Sequence, residues 1–193
     1  MSSLAAHWLR LGLLFSAFTM GNALGQNPFG VLGRVVSASM DARTKTEVAA
    51  DAEIGAGASK RLLEDKKSEW AGVSVLVFAQ HVVLAGAVKS AEVKKRVEEV
   101  VRRDKSIKSL KNELLVGDLG SLARDTALEA EINAKLTAAK GISSVNMRWS
   151  STGGNVVLMG VAQSKEEAAH AQATVRGIKG VKNLKSHLRV VPK

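Results

Sequence analysis

The chain has no cysteine in its 193 residues. That excludes disulfides, a thiolate nucleophile and thiolate metal ligation. It also predicts a mature protein without the lipid that a lipoprotein-type leader attaches to cysteine. Aromatic residues make up 4%, which leaves few platforms for stacking the bases of single-stranded nucleic acid. The histidines are His7, His81, His170 and His187; no two stand at ligand spacing, so no metal site is expected. Neither a Gly-x-Ser-x-Gly elbow nor a comparable nucleophile signature occurs, and neither catalytic residues nor a cofactor are predicted. Gly55-Ala56-Gly57 and Gly153-Gly154 lack the strand–loop–helix setting of a phosphate loop. The first of these reads as a loosened helix start. After the first 25 residues no stretch is apolar enough, for long enough, to span a bilayer.

Those first 25 residues have an order of their own. A short polar start ends at Arg10, an uncharged apolar run covers Leu11 to Met20, and small residues follow at Ala23 and Gly25. This is the pattern of a secretory signal peptide cleaved after Gly25, which predicts a periplasmic protein. An N-terminal linker segment is assigned to 26–50, of which Gly30 to Met40 is apolar enough to dock on a domain or a membrane. Lys and Arg outnumber Asp and Glu by 28 to 18, for a net charge of +10. The excess favours an anionic partner. Export places the chain away from nucleic acid, so an anionic phospholipid or membrane surface is the expected partner.

The chain repeats itself. Val82-Val83-Leu84-Ala85-Gly86 recurs as Val156-Val157-Leu158-Met159-Gly160, and the offset of 74 persists without a gap through Ile107–Val116 against Val181–Val190. Across 82–116 and 156–190 there are 14 identities in 35 positions. Each copy reads in one order. A helix carries Ile54, Ala58 and Leu62 after Asp51, or Leu128, Ile132 and Leu136 after Asp125, with each Asp read as its N-cap. A hairpin follows, turning near Ala79-Gln80 in copy one and across Ser150–Asn155 in copy two. Ser90 and Ser164 then cap a second helix, and a last strand, parallel to a hairpin strand, closes the unit. The predicted fold is α+β: two tandem αββαβ modules, each a three-stranded mixed sheet with two helices packed on one face. The modules are assigned to 51–117 and 125–193, with a linker at 118–124. Gly86 and Gly160 read as structural, at a bulge or close backbone approach. At about 65 residues, each module is expected to pack on its twin.

The doubled V-V-x-L-x-G strand, the helix after it and the closing Gly180-Val181-Lys182-Asn183-Leu184 segment resemble the BON domain of bacterial envelope proteins. Two copies behind a signal peptide resemble the dual-BON-domain outer-membrane lipoproteins of the DolP type, here without the lipid-bearing cysteine. The resemblance implies a non-enzymatic periplasmic protein, peripheral on the outer membrane, that binds anionic phospholipid and supports envelope integrity under stress. It points to the first helix of module 2, hence Leu128 and Ile132 with the nearby Lys135 and Lys140. That helix departs from an interfacial one in carrying Glu129 and Glu131 and no aromatic. Charge adds the acid-free tail with Arg176, Lys179, Lys182, Lys185 and Arg189. In copy one, Lys94, Lys95, Arg96, Arg102, Arg103, Lys105, Lys108 and Lys111 are offset by Glu98, Glu99 and Asp104. Trp149 is expected in the core and Trp70 at an interface. The other reading is a chaperone or interaction scaffold for outer-membrane or secreted clients, which calls for an exposed apolar sheet face.

Overall fold

The computed structural model describes residues 41–65, 70–117 and 121–191. The expected leader at 1–25 and residues 26–40 of the expected linker segment lie outside them. Module 1 opens with α1 (Lys45–Glu64), started by a capping box in which Thr44 accepts from the Glu47 N–H and the Glu47 carboxylate accepts from the Thr44 N–H. There follow β1 (Val73–Phe78), β2 (His81–Val88), α2 (Ala91–Val101), β3 (Ser109–Asn112) and β4 (Leu115–Val116). Module 2 consists of α3 (Leu122–Ala138), a 3-10 turn at Ser144–Asn146, β5 (Met147–Thr152), β6 (Asn155–Ala162), α4 (Lys165–Arg176) and β7 (Asn183–Val190). The hairpin strands are antiparallel, and β2 pairs in parallel with β3 and β4 as β6 does with β7. Ser90 and Ser164 cap α2 and α4 with almost the same backbone angles. Residues 55–57 lie well inside α1 rather than at its start, because the stripe Asp51, Ile54, Ala58 and Leu62 packs inward along the whole helix.

The two aspartates are not helix caps. α1 begins at Lys45 and α3 at Leu122, so Asp51 and Asp125 sit within their helices, buried. Each turns its carboxylate onto the hairpin of its own sheet. Asp51 accepts from the Ala79 and Gln80 N–H groups at 2.7 and 2.6 Å. Asp125 accepts from Gly153 and Gly154 at 2.8 and 3.2 Å and from the Ser151 hydroxyl at 2.7 Å. These are charge-assisted bonds to N–H groups that would otherwise lack partners. The second turn is the two residues Gly153-Gly154 alone, since Ser150 to Thr152 belong to β5 and Asn155 to β6. All four turn residues have positive φ, as a twist-matched two-residue hairpin requires, although copy one has Ala79 at 51° and Gln80 at 64°.

Gly86 and Gly160 occupy equivalent points where the hairpin partner approaches closely. A Cβ there would lie 1.8 Å from the Gly72 carbonyl oxygen or 2.0 Å from that of Asn146, at φ of 113° and 131°. No side chain fits.

In each module one face of the sheet packs on its two helices. Val82, Leu84, Val97, Val100 and Leu110 join the α1 stripe in one core; Ile132, Leu136, Leu158, Ala171 and Val175 centre the other. Trp149 lines the second, its indole N–H donating to the Glu129 carbonyl at 3.2 Å. Trp70, expected at an interface, packs half-buried against the first core.

The other sheet faces meet each other. Leu76, Phe78, Val83 and Ala85 of module 1 close on Val157, Met159 and Val161 of module 2, giving helix, sheet, sheet and helix layers. Polar contacts fix the alignment. Ser150 donates to Ser74 at 3.3 Å, Ala42 N–H donates to Asn146 Oδ1 at 2.7 Å, and the Arg43 and Arg148 guanidinium groups lie 4.4 and 5.3 Å from the Phe78 ring centre. Arg43 is itself paired with Asp41 and Asp51 at 2.6 and 2.8 Å.

Two variants test this account by opposite effects on urea unfolding. Gly160→Ala is expected to destabilise by about 3 kcal/mol or more, since backbone strain and a steric clash coincide. Ala79→Gly with Gln80→Gly, which copies the second turn, is expected to stabilise by roughly 1 kcal/mol by removing left-handed strain.

Candidate functional site

The strand order β1-β2-β3 in one sheet and β5-β6-β7 in the other makes β3 and β7 edge strands. Sheet-on-sheet packing lays them along the same side of the molecule. Glu113, which follows β3, accepts from Lys185 Nζ at 2.5 Å and pairs with His187 Nε2 at 3.0 Å. Farther along β7, Arg189 exerts its charge on His81, whose strand partner is Ser109 at the start of β3. The two edges therefore run antiparallel, as a two-fold axis relating the modules requires. Glu113 and His187 are themselves equivalent at the offset of 74, so their pair straddles that axis.

Alternation places Leu184 and Leu188 toward the helices and Lys185, His187 and Arg189 toward the other sheet. At an edge, these long side chains emerge into solvent. β3 does the same with Lys111, since its neighbour Leu110 is in the core. Lys108 and Lys182 lead into the two strands, each backbone N–H donating to a carbonyl of its hairpin turn, Gln80 or Gly154. Lys108, Lys111, Lys182, Lys185 and Arg189 thus form one cationic seam from both modules; the first four are exposed and Arg189 half-buried. Within 107–117 and 177–191 the only acid is Glu113.

Titration directions reflect both burial and the neighbouring charges. Burial lowers the His81 pKa, and Arg189 and Lys108 lower it further, so the imidazole is neutral at neutral pH. Burial also lowers that of Arg189, against the opposing charges of Asp51 and Glu47. For Glu113, burial would raise the pKa, but the hydrogen bonds and charges of Lys185 and His187 outweigh it and hold the carboxyl below the ordinary glutamate range.

The structure divides the residues expected from the sequence. Leu128 and Ile132 are buried, facing the sheet in the module 2 core, so that face of α3 has no apolar side chain to offer a bilayer. The resemblance pointed to this helix, and its apolar periodicity is that of a core. Lys135 and Lys140 are exposed at the C-terminal end of α3, about 15 Å along the helix from Asp125 and the hairpin it holds. Arg176, Lys179 and Lys182 lie at that hairpin end, exposed. Lys182, Lys185 and Arg189 join the seam. Lys108 and Lys111 were not among the expected site residues. Their signal was the register itself, because they are the equivalents of Lys182 and Lys185.

Nothing in the described residues assembles a metal cluster of three or more His, Asp or Glu side chains. No described helix is long and apolar enough to cross a membrane. A shallow depression lined by Gly141, Gln163, Ser164, Glu166, Glu167 and His170 holds a committed carboxylate: Glu167 accepts from the Ser143 and Gln163 N–H groups, both at 2.7 Å.

Comparison with known proteins finds relatives over much of the chain. The chain is 25% identical over 184 residues to osmotically-inducible protein Y of Escherichia coli (strain K12), covering 92% of each. It is 34% identical over 125 residues to an uncharacterized protein in the gshII 5' region of Anaplasma centrale, covering 63% of this chain and 83% of that one. Among solved structures, CdsD, a structural protein of the Type III secretion system of Chlamydia trachomatis, shares 17% identity and a TM-score of 0.32, over 71% of this chain and 62% of that one. The BON domain model matches twice, at residues 50–118 and 124–192, and the chain belongs to the BON domain family as a tandem pair.

Proposed function

We propose that this is a non-enzymatic protein of the bacterial envelope, exported to the periplasm, that attaches peripherally to anionic phospholipid through the cationic seam and supports outer-membrane integrity. The observation that carries the reading is the gathering of Lys108, Lys111, Lys182, Lys185 and Arg189 along one side of the two-module sandwich, with Glu113 the sole acid in the two edge segments 107–117 and 177–191. Each lysine or arginine near an anionic surface contributes roughly 1 kcal/mol, so several acting together give real but salt-sensitive attachment. The N-terminal leader pattern and membership of the family support the compartment. A client-binding chaperone is less well supported, because the sheet faces that would offer an apolar patch are covered by helices on one side and by each other on the other.

Vesicle flotation tests the reading. Binding to phosphatidylglycerol vesicles is expected at low ionic strength and lost near 1 M salt, where screening acts within about 3 Å. Phosphatidylcholine vesicles should not bind. Lys111→Ala with Lys182→Ala should weaken partitioning about 30-fold, whereas Lys135→Ala with Lys140→Ala, at the far end of α3, should leave it unchanged. Binding indifferent to lipid charge would sink the proposal.

A further inference from the structure

Glu113 is a carboxylate held between two potential anion ligands on the partner module. Its Oε2 takes Lys185 Nζ at 2.5 Å and its Oε1 takes His187 Nε2 at 3.0 Å. The side chains are 16%, 62% and 24% exposed for Glu113, Lys185 and His187, so the lysine end opens to water while the carboxylate is tucked in. A lipid phosphodiester carries the same single charge and presents two unesterified oxygens to such donors. Lys111, the equivalent of Lys185, has no carboxylate partner among the described residues. Among the described residues, one of the two symmetry-related lysines is therefore neutralised from within and the other is not.

We propose that Glu113 is an autoinhibitory anion: it occupies the place between Lys185 and His187 that a headgroup phosphate takes when the seam meets an anionic membrane. This rests on the reading of the seam as a phospholipid-binding surface. Membrane attachment is then an exchange, in which Lys185 and His187 leave an internal carboxylate for an external phosphodiester. Lys185 contributes little to initial attraction and much to the attached state.

The experiment compares Glu113→Gln with the unmodified protein on phosphatidylglycerol vesicles at low salt. Removing the internal charge while keeping the side-chain shape should tighten binding about fivefold, the effect of one liberated lysine. Lys185→Gln should cost less than Lys111→Gln in the unmodified protein and should cancel the gain in the Glu113→Gln background. Glu113 also joins the modules, so the comparison is repeated with them locked. The cysteine-free chain allows Ser74→Cys with Ser150→Cys at the hydroxyl pair 3.3 Å apart, with closure checked by loss of free thiols at monomer mass. A gain that survives the lock supports the proposal. A gain that disappears under the lock overturns it, because module opening then caused the effect. Binding by the unmodified protein with no gain in Glu113→Gln overturns it while leaving the seam reading intact. No binding by either protein overturns both.

Discussion

Val83 and Ala85 in β2, and Val157, Met159 and Val161 in β6, put apolar side chains on the side of each sheet that its own helices do not cover. A module of about 65 residues cannot leave such a face in water and remain folded comfortably. Pairing the faces supplies the missing cover and makes each central strand apolar on both sides, which is why β2 and β6 read as unbroken apolar runs rather than alternating ones. The other long-range features follow from that contact. It aligns β3 with β7, brings Ser74 to Ser150, and sets Arg148 against Phe78.

An interface between two copies of one sequence would meet itself at the axis, and equal charges there would repel. The copies differ at that point: position 113 is Glu and its equivalent, 187, is His. Elsewhere at the interface the division of labour is also uneven. Module 1 contributes Leu76 and Phe78 where module 2 has Ser150 and Thr152, and Ser74 where module 2 has Arg148. The duplicated skeleton makes the contact geometrically two-fold, and the divergent side chains make it a match between unlike partners.

Much of this was legible in the sequence because local chemistry and the repeat pointed the same way. Ser90 and Ser164, and Gly86 and Gly160, behave as their spacing implies. Asp51 and Asp125 were misread for a physical reason. An aspartate before an apolar helical stripe gives the same local signal whether its carboxylate caps that helix or reaches a turn 28 residues later. Leu128 and Ile132 raise a similar ambiguity, since a core stripe and a membrane stripe share one period and only burial separates them. The seam was hidden because strand alternation assigns a face but not the strand opposite. Lys108 and Lys111 join Lys182, Lys185 and Arg189 only through the two-fold relation between modules.

Gathering those cations has a cost within the fold. At the His81 end of the seam, burial and then the charges of Arg189 and Lys108 lower the imidazole pKa, while Asp51 and Glu47 oppose the charge of Arg189. Glu113 offsets repulsion between the cations at the middle of the seam, where it joins the modules. An external anionic surface would offset it along the whole length, and anything that binds only the paired arrangement stabilises that arrangement. Attachment and module pairing are therefore linked on the proposed reading, with the same side chains governing both. The acid at position 113 sets the balance: on that reading its carboxylate adds an ion pair to the apolar module contact and competes with membrane phosphates for Lys185 and His187.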